Sequence, residues 1–532
     1  MSTRKTRNQM SETRNYQNQT AKQADIRTSN IQAAQAVLDT VRTSLGPRGL
    51  DKMVTNTKGE LIVTNDGATI MKQLSARHPV ARMLVDLSAA QDIEAGDGTT
   101  SVVVLATSLL SSTTDLFNAG IHSSKIAASF QKCQLEAQKV IDTMTIPVDL
   151  NDRDTLISLA STSLSSKVVS PHSNILAPIA VDAVLSVRDP LIPNNVDLRN
   201  IKVIMKEGAT VDSTQLIHGV VFNKPPKRLP GAPSSIENPK IAICQFCLSP
   251  PKSNMDSTLI ASDHTALDRI LREEKTYTLK LVKSIRDSGA NVLIVQKNIM
   301  REAVSDLAHH FLNKLGIMVI SDIEISEMDF ISRSLGATPV ASIDDLLPAN
   351  LATAGLVEVK ENMTYITGCN PRPDDAPTRT IIVRGTNQMV IEEAERSMHD
   401  ALCVIRSLVK RPELVVGGSA VETEISRVLH HIGNESTGAD HYCFKAFAEA
   451  FEVIPYTLSE NAGLAGIKIV SDLRKAHAEG EPFAGISVKS NSVKNMKDEG
   501  VYQPALVSSS AISLATEFCI QVLKIDDMVL GM

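Results

Sequence analysis

Between residues 94 and 110 the chain reads EAGDGTTSVVVLATSLL, an aspartate between two glycines and two threonines that runs straight into an apolar, helix-like stretch. Two kinds of chemistry fit. A short side-chain oxygen, from Asp97 or Thr99, could cap the helix by accepting from the free N–H groups of its first turn. Capping accounts for neither glycine. Gly96 and Gly98 clear Cβ atoms from the approach to those N–H groups, which suits a phosphate, and a carboxylate beside bound phosphate is where Mg²⁺ would be held.

Two further turns of the same kind lie upstream, TSLGPRGLDKM at 43–53 and TNDGATIM at 64–71. Gly46 followed by Pro47 could be only a helix stop, and Asp66-Gly67 only a turn. Three such turns close together, two with an aspartate, instead suggest a backbone that approaches a polyphosphate. Far downstream, Met398, Leu402, Ile405, Leu408 and Val409 form the apolar face of a helix and leave Asp400 off it, near Glu393 and Arg396. Asp400 could be a solvated carboxylate, or it could orient water for attack on a γ-phosphate. The chain has no GK[ST], HExxH or GxSxG, and no HRD or DFG, so Walker-type, zincin, hydrolase-elbow and protein-kinase readings lack support.

The chain is long enough, at 532 residues, for about three domains, and 43% apolar with 21% charged residues is the balance of a folded soluble protein. A net charge of −6 gives no pointer to nucleic acid or to an anionic membrane. The seven cysteines are scattered and odd in number, which suits a reducing compartment; Cys244 and Cys247 sit in a strand-like run whose odd spacing argues against a shared metal. Residues 1–24 are polar with no apolar h-region and are expected to be disordered. The uncharged run 98–114 is read as too short and too rich in Ser and Thr to cross a bilayer. A cytoplasmic protein without membrane or nucleic-acid partners is expected.

The elements that must position the turns fall into three blocks. Residues 25–146 are mostly helical, broken by a hairpin-like KMVTNTKGELIVTNDG, and helical periodicity returns from Pro412 to the end. Between them strand-like IKVIM, GVVF, KIAIC, NVLIV and GIMVI alternate with helices, the pattern of an α/β domain. The fold class is therefore multidomain, α plus α/β, with the middle inserted into an outer domain built from both ends.

As a set, TSLGPRGLDKM, NDGATIM, EAGDGTTSVVVLA, VRGT, SMHDAL, VVGGSAVE, ENAGLAGIKIV and LKIDDM resemble the group II chaperonins, ATP-driven protein-folding rings of archaea and the eukaryotic cytosol. TSLSSK, CLSPPK and VYQPALVSSSAI are similar to one subunit class of the eukaryotic complex. The resemblance implies ATP/ADP and Mg²⁺ as cofactors, with Asp97 as metal ligand and Asp66 and Asp400 flanking the attacking water. It implies nucleotide contacts from Gly46, Gly98, Thr99, Thr100, Ser101, Gly417, Gly418 and Gln503, while Lys167 with Ser165 and Ser166 senses the phosphate end. It also implies a helical equatorial domain over 25–146 and 411–532, a small intermediate hinge domain over 147–221 and 377–410, and an inserted α/β apical domain over 222–376. Gly219 and Gly385 lie near the crossings. The implied partners are paralogous subunits in a hetero-oligomeric double ring and unfolded clients of the actin and tubulin class.

The family carries a helical protrusion, a built-in lid, near 249–276, where Met255, Leu259 and Ile260 precede a charged helix. For client contact, 298–316 reads as a helix with Ile299, Ala303, Leu307, Phe311 and Leu315 buried and Arg301, Ser305, His309 and Asn313 outward. The chain departs from the commoner pattern at Ser419, after Gly417-Gly418, and at Gln503, where Glu is usual. These departures keep open a nucleotide-binding structural subunit with weak or no hydrolysis. A metabolic phosphotransferase would need a polar cluster that the sequence does not show, and a lipid kinase with a borrowed apical module would lack the equatorial motifs.

Overall fold

The structure, a computed structural model, describes all residues except 1–25, 56–58, 60, 75, 190, 191, 193, 228–232, 251–262, 372–375 and 528–532. The tail expected over 1–24 and the lid residues Met255, Leu259 and Ile260 lie outside the described residues. The chain divides into two compact units, one of residues 1–181 with 396–532 and one of residues 182–395. Both chain ends belong to the first unit.

The first unit opens with helix α1 over 26–41, which tightens into a 3₁₀ turn at Arg42–Ser44 and stops at Gly46, in the left-handed region at φ +92°. Strands β1 (Lys52–Thr55) and β2 (Leu61–Thr64) then form the expected antiparallel hairpin, pairing Lys52 with Thr64. There follow α2 (Gly67–Gln73), α3 (Pro79–Glu94), α4 (Thr99–Asn118), α5 (Ser123–Met144), the short β3 (Ile146–Pro147), α6 (Arg153–Leu164) and α7 (Ser173–Ser186). Helix α4 is buried nearly all round, with Val102, Val103, Val104, Ala106 and Leu109 at 0% exposure. Its 20 residues are long and apolar enough to span a bilayer, contrary to the sequence reading, but 56% of its apolar window is buried inside the protein. A helix apolar on every side serves as well at the centre of a core.

In the second unit β4 (Ile201–Glu207), β5 (Gln215–Ile217), β6 (Gly219–Phe222), β7 (Ser235–Glu237) and β8 (Lys240–Cys244) precede α8 (His264–Ser288). Next come β9 (Val292–Gln296), α9 (Asp306–Lys314), β10 (Met318–Ile323), α10 (Ile325–Leu335), β11 (Ala352–Thr353), β12 (Leu356–Lys360), β13 (Met363–Thr367) and β14 (Arg379–Gly385). Strands β8, β9 and β10 run parallel, and their alternate residues feed two separate cores: Ile241, Ile243, Val292 and Ile294 on one face, Ala242, Cys244, Leu293 and Val295 on the other. A parallel sheet covered on both faces gives such continuous apolar runs. Cys244 ends its strand and Cys247 lies beyond it, so strand parity does not govern the pair; both are buried free thiols.

The expected client helix over 298–316 is corrected. Helix α9 begins only at Asp306, capped by Ser305, and Ile299 is 94% exposed in the preceding loop. Ala303, Val304, Ala308, His309 and Leu312 are the buried residues, so Ala303 is buried as expected, the face within the helix is shifted by one position from Leu307 and Phe311, and His309 points inward. Asn298 and Ser305 bring loop and cap chemistry that the apolar spacing did not register.

The chain returns through α11 (Gln388–Lys410), whose Met398, Leu402, Ile405, Leu408 and Val409 are buried as the periodicity predicts. Beyond it lie β15 (Glu413–Val416), α12 (Ala420–Glu435), α13 (Ala439–Phe451), α14 (Val453–Asn461), α15 (Gly466–Ala478), β16 (Ala484–Ser487), β17 (Ser492–Asn495), β18 (Tyr502–Pro504) and α16 (Ala505–Leu523). The strands in this block were not expected. They are three or four residues long, and β15 is defined by pairing with the distant β3 and β18 rather than by a pattern of its own. Phe130 of α5 meets Phe447 edge-on at 5.1 Å, and Phe447 meets Phe451 at 5.4 Å, joining the two ends of the sequence in one core.

Candidate functional site

Helix α4 starts without a side-chain cap. Its N-cap is Gly98, in the left-handed region at φ +74°, and neither Asp97 nor Thr99 accepts from a first-turn N–H, which overturns the capping reading. Asp97 instead accepts from the N–H of Gly98 itself at 2.6 Å, before the helix begins. The donors at the helix start are thereby left for a ligand. The glycines have a packing reason as well: a Cβ on Gly96 (φ +71°) would lie 2.0 Å from Cβ of Cys403 on α11, and one on Gly98 would lie 2.9 Å from Val507 on α16. Gln91 of α3, fully buried, fixes the turn by donating to the carbonyl of Asp97 at 2.9 Å.

The other turns converge on this helix end. A Cβ on Gly67 would stand 2.5 Å from the hydroxyl of Thr100, so the starts of α2 and α4 are in contact only because residue 67 is glycine. The Gly46 turn is held by Asn461 at the end of α14, whose amide donates to the carbonyls of Arg42 and Leu45 at 2.9 and 2.8 Å. Between them opens a cavity of about 690 Å³. Gly46, Asp66, Asp97, Gly98, Thr99, Thr100, Ser101, Ser165, Ser166, Lys167, Asp400 and Gly418 all line it.

Two expected contacts fall outside that lining. Gly417 bonds back to the carbonyl of Val501 at 3.0 Å, and the Gln503 amide donates to the hydroxyl of Ser508 at 2.7 Å. The structure also lines the cavity with residues that motif reading missed: Ile486, Val488, Lys489, Met496 and Glu499. They come from the β16–β17 hairpin and the turn after it. Glu499 is held by the buried hydroxyl of Ser487, which reaches its two carboxylate oxygens at 2.6 and 2.7 Å. KDEG, a charged turn before β18, was the available signal, but such turns are common on any surface.

Four charged groups of the lining meet, Asp66, Asp97, Lys167 and Asp400. Lys167 Nζ lies 2.5 Å from Asp400 Oδ2, and both side chains are only 12% exposed. Burial together with the charges of Asp66 and Asp97 pushes the Asp400 carboxyl up to about 8, against the pull of Lys167. Burial works to lower Lys167, but Asp400, Asp66 and Asp97 outweigh it and hold the ammonium charged. Asp66 goes the other way. Burial would raise it, yet Lys167 and hydrogen bonds from Thr69 and Ala68 hold it below the ordinary carboxylate range. It accepts from Ala68 N at 3.2 Å, Thr69 N at 3.0 Å and the Thr69 hydroxyl at 2.6 Å, and so caps α2. The solvated-carboxylate reading of Asp400 does not hold, since it is buried and ion-paired.

Asp97 is raised by burial, which Lys167 and the Gly98 N–H do not offset. A half-buried carboxylate so placed, beside open helix-start donors, suits a hard cation shared with phosphate oxygens. Among the described residues no group of three or more His, Cys, Asp or Glu is placed to hold a metal ion.

A family model described as the TCP-1/cpn60 chaperonin family matches residues 37–531. The T-complex protein 1 subunit delta of Rattus norvegicus is 51% identical over 513 residues, covering 96% of this chain and 94% of the relative. The Homo sapiens protein of the same name is likewise 51% identical with the same coverage, and that of Arabidopsis thaliana is 50% identical over 95% of this chain and 94% of its own.

Proposed function

The chain belongs to the TCP-1/cpn60 chaperonin family, and from that premise we propose that it is the delta-type subunit of a cytosolic hetero-oligomeric chaperonin, one that binds Mg²⁺ATP and hydrolyses it. The observation that carries the catalytic part is the meeting of Asp66, Asp97, Asp400 and Lys167 under the uncapped start of α4. Three carboxylates around one ammonium in a cavity have no structural use that apolar residues would not serve better.

In this reading the N–H groups and hydroxyls of Thr99, Thr100 and Ser101 hold the phosphates, and the Gly46 and Gly418 turns let the backbone approach the nucleotide. Mg²⁺, held by Asp97, would neutralise phosphate charge. Asp400 takes a proton from the attacking water, a role for which a carboxyl titrating near 8 is well matched. Asp66, fixed by its three hydrogen bonds, is a rigid negative wall on the water's other side. Lys167 holds Asp400 in register and meets the charge of the terminal phosphate. Ser165 and Ser166 keep the Lys167 turn in shape by bonding to the carbonyls of Thr162 and Ser163 at 2.6 and 3.1 Å. Gly417 supports the wall through its bond to Val501, which lines the cavity.

The paralogous subunits of a double ring, clients of the actin and tubulin class and the division into equatorial, intermediate and apical domains belong to the same proposal. The grouping of both chain ends with the site supports the equatorial assignment. The test is single-turnover ATP hydrolysis by a ring in which only this subunit keeps its aspartates. Hydrolysis lost on Asp400→Asn supports the reading, whereas nucleotide bound but not hydrolysed by the unmutated subunit would favour the structural-subunit alternative.

A further inference from the structure

The cavity contains a buried acceptor that none of these roles uses. Asn65 sits between the end of β2 and the cap of α2, lines the cavity and is only 6% exposed. Its Nδ2 donates to the backbone carbonyl of Ser166 at 2.9 Å, which fixes the orientation of the amide. Its Oδ1 is buried and has no hydrogen-bond partner. An amide oxygen left in that condition costs about 1–3 kcal/mol, so the position calls for a donor supplied by the ligand.

The groups nearby narrow the choice. Asp66, Asp97 and Asp400 are acceptors when ionised, and Lys167 is engaged with Asp400. Phosphate oxygens of Mg²⁺ATP also accept, so the phosphate end of the nucleotide, which lies against Thr99, Thr100 and Ser101 in the reading above, has no donor for Asn65. Water can supply one, because it brings two protons. We propose that Asn65 Oδ1 accepts one O–H of the water that attacks the γ-phosphate, while the other O–H is directed to Asp400. This rests on the hydrolysis reading above. The water's lone pair forms the new bond to phosphorus, and the bond to the β,γ-bridging oxygen breaks with its electron pair leaving on ADP. One water proton passes to Asp400. The other stays on the oxygen that joins the phosphate, bonded to Asn65 until product leaves. With both protons engaged, the water can turn only its lone pair toward phosphorus, which is the orientation an in-line attack requires. The bond from Nδ2 to Ser166 ties this acceptor to the residue preceding Lys167, so the water site and the Lys167–Asp400 pair share one frame.

Two substitutions separate this role from a structural one. Asn65→Leu keeps the branched shape and removes both polar atoms; Asn65→Asp keeps an acceptor oxygen but cannot donate to Ser166. Each is made in rings whose other subunits cannot hydrolyse ATP, and single-turnover hydrolysis and ADP binding are measured across pH. Asn65→Leu is expected to slow the chemical step by about 100-fold, with the ADP dissociation constant within about twofold of the parent, because a water and not the nucleotide has lost its partner. Asn65→Asp is expected to keep more of the rate and to move the pH–rate profile upward, since a fourth carboxylate raises Asp400 further. Parent-like hydrolysis by Asn65→Leu would overturn the proposal. So would equal loss in both variants accompanied by weaker ADP binding, which would make the Ser166 tether the whole of Asn65's role. A parent that binds ADP and hydrolyses nothing would instead remove the hydrolysis reading on which the proposal rests.

Discussion

Lys167 and Asp400 form a 2.5 Å ion pair between a turn after α6 and the middle of α11, residues 233 positions apart in the chain that share one cavity wall. Breaking this pair from the lysine side leaves a buried carboxyl without the cation it is paired with. In Lys167→Met the Asp400 carboxyl is expected to titrate above its present value of about 8, so that a still smaller fraction is ionised and able to act as a base at neutral pH. Single-turnover hydrolysis should fall at least tenfold at pH 7 and recover in part as pH is raised. A variant with the parent's rate and pH profile would show that Lys167 does not control Asp400.

For Asp400→Asn, hydrolysis is expected to drop by about 10²–10⁴-fold, the usual contribution of a general base, with ADP affinity little changed. The sign of the pH effect follows from the proton balance. Asp400 must be ionised to accept a proton, so kcat/KM of the parent rises with pH up to about 8 and then levels, and the variant loses that limb. Stability runs oppositely. The carboxyl binds its proton more tightly folded than at its ordinary 3.8, so its contribution is present below that value and is lost as pH climbs toward 8. Thermal denaturation of the nucleotide-free protein at pH 5 and pH 8.5, for parent and variant, reads this directly.

Asp97→Asn should separate stability from function. Burial raises this carboxyl, so neutralising it relieves an uncompensated charge, and the Asn oxygen can still accept from Gly98. The nucleotide-free variant is expected to melt no lower than the parent. Titration of Mg²⁺ against ATP binding should show the metal's enhancement of affinity lost. Retained Mg²⁺ dependence would remove Asp97 as the ligand.

The nucleoside end offers a paired comparison. Gln503 is engaged with Ser508 outside the cavity lining, so Gln503→Glu is expected to leave the ATP dissociation constant within about twofold, while Glu499→Gln weakens binding by roughly the 0.5–1.5 kcal/mol of one hydrogen bond. Calorimetric titration of both variants decides between them, and the reverse result would return ribose or base contact to Gln503.

What the sequence determined is local. GDGTT, NDG and LGP declared three glycine turns at the ends of regular elements, because positive φ and missing Cβ atoms are properties of single residues. The face of α11 and the alternation of the middle block were legible for the same reason, since a helix or strand period is written along the chain. Family motifs then assigned roles to Asp66, Asp97, Lys167 and Asp400 without distances. The tertiary structure alone decided the rest. Whether Asp97 capped α4 depended on where Gly98 turned the backbone, and which end of 298–316 became helix depended on Ser305. Glu499 entered the cavity beside the β16–β17 hairpin, held by Ser487, and Gln503 turned to Ser508 from a strand that pairs with the distant β15. Asp66 and Asp400 are the same residue type beside the same lysine, yet Lys167 with three local donors holds one low while burial raises the other against that same pull. Desolvation and hydrogen-bond geometry are properties of a packed volume, and no spacing along a chain encodes them.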